Sequence, residues 1–259
     1  MLMHTHSDAA YAAAQILAAR RLRGEAGPRL PEPCRPNTLE EAVMVQTAVT
    51  REMDAEVGGW KCGLPTPDRI VVAPIYSHTI QRSSPCSIWP KGGHARVEPE
   101  FAFVFGEDLP TRDLPYTHAE IDAAITRTHM ALELIASRYS DPASVSFAEA
   151  LADGLVNQGL FLGPEVDSEL AQQTSEVQLK LADACGPVEQ YAGRHPNTLP
   201  RLPLYWLVEY LRCHGQAIHA GQVVITGSYA GVLTLPLAQD LTIEYAALGS
   251  LQVRFEALG

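Results

Sequence analysis

Two glutamates carry the first chemical signal in the sequence. Val97-Glu98-Pro99-Glu100 runs into Phe101, Phe103 and Phe105. In an extended strand, residues two apart share a face. Glu98 and Glu100 then point one way and the three phenylalanines the other, into a core. Two carboxylates on one face repel each other unless something positive sits between them, and a divalent cation with oxygen ligands would serve both. On spacing alone, two ordinary glutamates on a solvated face are the plainer alternative. Glu133 changes the balance. It stands in Met130-Ala131-Leu132-Glu133-Leu134-Ile135, an apolar run in which a lone charge is costly to bury. It needs a partner: an arginine, Arg138 or Arg127, or a cation shared with Glu98 and Glu100. The pattern leaves both open.

Lys61 lies in Gly59-Trp60-Lys61-Cys62-Gly63-Leu64 and shares the chain only with Lys91 and Lys180. It fits a surface lysine laid over Trp60. It also fits a partly desolvated ammonium that moves a proton or binds a substrate carboxylate. Thr226-Gly227-Ser228 follows the apolar stretch Val223–Ile225. A glycine and small hydroxyls there let backbone N–H groups approach an anion, or simply make a turn. The nine histidines show no metal-ligand spacing. His195, before Pro196, fits a site or an ordinary loop. GxSxG, GxxxxGK[ST] and GxGxxG are all absent, which argues against a common serine hydrolase, a P-loop enzyme and a Rossmann dehydrogenase.

The 259 residues carry 19 basic and 30 acidic side chains, a net charge of −11, with no Lys/Arg-rich run. Nucleic-acid and anionic-membrane binding both need a basic footprint, so neither is expected. No stretch approaches the ~20 apolar residues of a membrane span. Five cysteines, an odd number without a CxxC, read as reduced thiols in a cytoplasm. The N-terminal residues read as a helix rather than a signal peptide.

The elements that must position these groups follow from periodicity and punctuation. Ser7 or Asp8 could cap a helix to about Arg23. Thr38, with Glu41 at capping-box spacing, opens a second helix that Gly58-Gly59 ends. Strands are expected at 60–64, 70–72, 87–89, 95–106, 130–139 and 160–162, then at 177–182, 188–192, 223–226, 241–245 and 251–255. Helices are expected at 117–127, from Ser146, and at 202–213 up to Gly215. Two helices followed by a strand-rich region predict an α+β fold, with an N-terminal helical subdomain over residues 1–57 and a main body over 58–259.

Taken in order, four segments resemble the 2-keto-4-pentenoate hydratase and 4-oxalocrotonate decarboxylase family, within the fumarylacetoacetate hydrolase-like superfamily. They are Gly59-Trp60-Lys61-x-Gly63, Val97-Glu98-Pro99-Glu100-Phe101-Ala102-Phe103-Val104, Leu132-Glu133-Leu134-Ile135-x-Ser137-Arg138-Tyr139-x-Asp141 and Ala220-Gly221-x-Val223-Val224-x-Thr226-Gly227-Ser228. The resemblance covers roughly residues 8–256. It implies a mixed β-roll core and a Mg²⁺ or Mn²⁺ site on Glu98, Glu100 and Glu133. Lys61 matches the active-site lysine, and Thr226, Gly227 and Ser228 match a substrate-lining segment. Members are commonly homo-oligomers.

The chain departs from the family pattern at Pro74–His78, at Ala152–Gly159 and over His195–Trp206. The resemblance implies a metal-dependent lyase acting on a small 2-hydroxy-2,4-dienoate or related 2-oxo acid in the breakdown of aromatic-ring cleavage products. Hydration comes first, and decarboxylation or C–C hydrolysis is the alternative. A non-catalytic partner subunit is a third possibility, kept open by the altered 153–159 segment. Asp141, Asp153 and His78 are candidates for the general base.

Overall fold

The computed structural model describes residues 2–259. The first helix, α1 (Leu2–Arg23), begins before Ser7 and Asp8 and closes on three arginines, Arg20, Arg21 and Arg23. The second, α2 (Leu39–Glu52), opens on Thr38, whose hydroxyl accepts from the Glu41 N–H. The Glu41 carboxylate reaches back one residue further than a capping box requires, to the N–H of Asn37. The helix stops at Glu52, and Gly58 and Gly59 belong to β1 (Val57–Thr66) instead. Their purpose is close approach: a Cβ on Gly59 would sit 2.1 Å from the Val223 carbonyl oxygen of the neighbouring strand.

The chain continues through β2 (Arg69–Tyr76), β3 (Ile80–Gln81), β4 (Cys86–Ile88) and β5 (His94–Phe105). Then come α3 (His118–Ala124), β6 (Ile125–Ile135), α4 (Phe147–Ala152), β7 (Asn157–Val166) and α5 (Ser168–Gln173). The last elements are β8 (Glu176–Asp183), β9 (Gly186–Arg194), α6 (Leu202–Cys213), β10 (Val223–Ile225), β11 (Leu233–Pro236), β12 (Asp240–Tyr245) and β13 (Ser250–Ala257). The strand expected over 130–139 starts earlier and ends at Ile135, and β3, α5 and β11 lie where no element was expected.

One sheet has the order β2-β1-β10-β5-β6-β7-β3, with β11 added to β5. Its two ends are joined by the chain itself. β2 passes through a single turn at Ser77–Thr79 into β3, which pairs with β7. The sheet therefore curls into a roll. A second sheet, β4-β13-β12-β8-β9, packs on one face of the first.

Alternation divides the roll cleanly. Phe101, Phe103 and Phe105 of β5 and Met130 and Leu132 of β6 pack toward the second sheet, with Ile243, Tyr245 and Phe255. The opposite face holds a smaller cluster that includes Ala102, Val104, Ala131, Leu160, Val223 and Ile225. β5 and β6 are antiparallel, with Glu98 opposite Glu133 and Glu100 opposite Ala131. All three glutamates thus share the face of the smaller cluster, at one end of the roll. A third cluster joins α1 and α2 to α4.

The Gly59 contact yields a stability prediction. Gly59→Ala forces β1 and β10 apart and should cost about 1–3 kcal/mol, as overpacking does. The check is a lower urea midpoint with an unchanged slope.

Candidate metal centre

Glu98, Glu100 and Glu133 each offer a carboxylate oxygen, and these atoms lie within 4.8 Å of one another. Glu133 is fully buried and Glu100 is 2% exposed, while Glu98 is half-buried. Burial, then the charge of Glu133, pushes Glu98 up to about 7, with Lys61 acting against that rise. Glu100 is raised well above the usual carboxylate range by burial and by its two neighbours. Such crowding is unfavourable in the absence of a cation. Three convergent hard oxygen ligands are the donor set for a Mg²⁺- or Ca²⁺-like ion rather than a soft metal.

Lys61 answers one of the three charges. Its Nζ donates to Glu133 Oε1 at 2.7 Å and Oε2 at 2.9 Å. Burial works against the ammonium, but the carboxylates of Glu133, Glu98 and Glu100 outweigh it, and the lysine pKa lies above its ordinary value. The partner of Glu133 is therefore neither Arg138 nor Arg127. Arg138 is occupied by Asp153, and Arg127 is exposed.

A turn missed in the sequence completes this corner. Helix α4 ends in a Schellman motif: the Gly154 N–H donates to Leu151 O and the Leu155 N–H to Ala150 O. Gly154 has φ +73°, and the chain stays left-handed through Leu155 (φ +51°) and Val156 (φ +62°). A β-branched residue in that region is strained, at a cost on the order of 1–3 kcal/mol. This conformation turns the Leu155 carbonyl toward Lys61 Nζ, 3.2 Å away. It also lets Asn157 Nδ2 donate to Glu133 Oε1 at 2.8 Å. The only sequence signal for Asn157 was its place in Ala152–Gly159, where the chain departs from the family pattern.

Thr226-Gly227-Ser228 approaches from β10. The Gly227 N–H donates to Glu100 Oε2 at 2.7 Å, so the backbone does meet an anion there. Gly227 has φ +135°, and a Cβ on it would strike the Pro196 ring at 2.6 Å. Next to it His195 is 2% exposed. The Asn197 N–H donates to His195 Nδ1, which leaves Nε2 as the donor to Thr226 Oγ1 at 3.3 Å. Burial pulls His195 down to about 4, which keeps the imidazole neutral.

The remaining candidates lie elsewhere. Asp141 is exposed and caps the turn Pro142–Ser144. Asp153 is buried, with both carboxylate oxygens taken by the Arg138 Nε and backbone N–H. His78 is exposed and stacks on Tyr76. None of the three touches the glutamate cluster.

The fold is the fumarylacetoacetate hydrolase-like α+β roll. The chain superposes on the solved structure of 4-oxalocrotonate decarboxylase from Pseudomonas putida G7, complexed with magnesium and adipate. The TM-score is 0.75, at 18% identity over 95% of this chain and 97% of that one. No protein-family model matches. In sequence, the chain is 25% identical over 161 residues to the TodF product hydratase of Pseudomonas putida strain F1, covering 62% of this chain and 59% of the relative. It is 27% identical over 170 residues to a 4-oxalocrotonate decarboxylase of a Pseudomonas species, covering 61% and 59%. The chain thus spans about six tenths of the length of the curated relatives it matches. No described helix is long and apolar enough to cross a membrane.

The buried neutral imidazole gives a pH prediction. A histidine whose pKa falls from 6.5 to about 4 on folding stabilises the protein fully above pH 6.5, and that contribution is lost as the pH falls toward 4. Relative to His195→Gln, the wild type should lose on the order of 3 kcal/mol across this window. Denaturant titrations of both proteins at pH 7 and pH 4 measure the difference.

Proposed function

We propose that the protein is a divalent-metal-dependent lyase of the hydratase type. It would add water to a 2-hydroxy-2,4-dienoate, the enol of a 2-oxopent-4-enoate, to give a 4-hydroxy-2-oxo acid. What carries this reading is the convergence of Glu98, Glu100 and Glu133 on one face of the roll, with Lys61 bonded to the last. These glutamates would hold Mg²⁺ or Mn²⁺, and a bound cation supplies a Lewis acid for the charge that gathers on a 2-oxo oxygen.

The chain's own groups supply the rest. Asn157 and the Gly227 N–H fix Glu133 and Glu100 in orientation. Lys61, kept charged by its acidic neighbours, would anchor the substrate carboxylate or move a proton. Moving the O2 hydroxyl proton to C5 ketonises the dienol, so that the C3–C4 double bond is conjugated to the carbonyl and accepts water at C4. Thr226 Oγ accepts from His195, which frees its own hydroxyl proton for a substrate oxygen. Gly227 and Ser228 line the same wall. Residues 1–57 serve as a helical subdomain against a catalytic roll of residues 58–259. The free cysteines and the resemblance support a cytoplasmic homo-oligomer acting in aromatic-compound catabolism.

One observation favours a second reading. Arg96 lies two residues before Glu98 on β5, on the same face, and its charge acts on Glu98. A cation there suits a substrate with a second carboxylate, as in 4-oxalocrotonate-type decarboxylation.

The deciding assay follows the ultraviolet absorbance of 2-hydroxypenta-2,4-dienoate with chelated protein and after adding Mg²⁺ or Mn²⁺. Metal-dependent loss with 4-hydroxy-2-oxopentanoate as product is expected. No loss above the spontaneous rate, with metal bound, turns the assignment toward the decarboxylase. Glu100→Gln and Glu133→Gln should abolish metal binding and keep the fold, as read by calorimetry and circular dichroism. Lys61→Met should retain metal and lose turnover by about 10²–10⁴-fold.

A further inference from the structure

The left-handed turn 154–156 is gripped from outside the roll by two arginines. Arg21, near the end of α1, spans its two ends: Nη1 donates to the Asn157 carbonyl at 2.9 Å and Nη2 to the Asp153 carbonyl at 3.0 Å. Arg138 holds the N-terminal end through three bonds to Asp153. Nε reaches Oδ1 at 2.5 Å, the backbone N–H reaches Oδ2 at 3.1 Å and Nη2 reaches the carbonyl at 2.6 Å. The Arg21 guanidinium also lies over the Tyr76 ring, 5.4 Å from its centroid. A Cβ on Gly154 would meet Arg21 Nη2 at 3.2 Å, so the turn and its clamp fit closely. The inner side of the same turn presents the Leu155 carbonyl to Lys61 and the Asn157 amide to Glu133.

We infer that Arg21, together with the Arg138–Asp153 pair, is a positioning device for the metal centre. It holds a strained turn in the one conformation that lets Asn157 orient Glu133 and Leu155 orient Lys61. The inference rests on the metal-site reading above. A planar guanidinium with two forked donors can hold both turn ends at once, whereas a lysine ammonium offers a single point. Asp153, a candidate base in the sequence, acts here through Arg138 and the turn rather than on substrate.

The test is the affinity of the full-length protein for Mn²⁺, by isothermal titration calorimetry, with thermal unfolding measured alongside. Groups that orient a metal ligand typically matter by about 10–100-fold in metal affinity, and Arg21→Met should weaken Mn²⁺ binding by that order. Arg29→Met is the control. It breaks an ion pair with the buried Glu149 in the same helical layer, and should lower the unfolding temperature while leaving Mn²⁺ affinity unchanged. Asn157→Ala should reproduce the loss, and adding Arg21→Met to it should give little more, because the two act in series. If Arg21→Met does not fold, Arg21→Lys is read in the same cycle and should fall between wild type and Asn157→Ala.

Wild-type affinity in the folded Arg21 variant, equal weakening by Arg29→Met, or additive losses with Asn157→Ala each overturn the inference. A wild-type protein that binds no Mn²⁺ is a different failure: it removes the metal reading itself, and the positioning role with it.

Discussion

Three carboxylates brought within a few ångströms of one another on a buried face repel, and much of this molecule is arranged around that fact. The repulsion is lowered by one ammonium, one amide and one backbone N–H, each from a different strand or turn. Lys61 comes from β1, Asn157 from the start of β7, and the Gly227 N–H from beyond β10. None of these groups could reach the cluster unless β1, β10, β5, β6 and β7 were consecutive neighbours, which is the order observed. The negative charge that remains suits the site to a hard cation.

The same five strands have a second task, which is to make a core on the other face. Phe101, Phe103 and Phe105 point away from Glu98 and Glu100 because the pleat allows nothing else, and they meet the second sheet. The face with the glutamates has its own small apolar cluster further along the roll. Glu98 is the most exposed of the three.

Much of this was legible in the sequence. The alternation of β5 placed two carboxylates opposite three phenylalanines, and a glutamate inside an apolar run demanded a partner. The identity of that partner was not legible, because Lys61 and Glu133 are 72 positions apart and an arginine nearby served equally well on paper. Arg138 proved to be committed to Asp153. Asn157 and Arg21 left still less trace. Their contact spans 136 positions, and the turn held at Asp153 and Asn157 carries Leu155 and Val156, residues that have no propensity for a left-handed backbone. Gly58 and Gly59 misled for a related reason. Read locally they end a helix, whereas in the fold they let the Val223 backbone come close.

The division of β5 into two faces has an evolutionary corollary. Substitutions along residues 95–105 can tune either face independently. A single insertion or deletion within them cannot, because it would carry the glutamates into the core and the phenylalanines into the site. Variation in length among descendants of this chain is thus confined to segments that leave the strand register intact. The stretch between β9 and α6, where His195 and Pro196 rest against Gly227, is such a place, and a new substrate preference could enter there without renegotiating the fold.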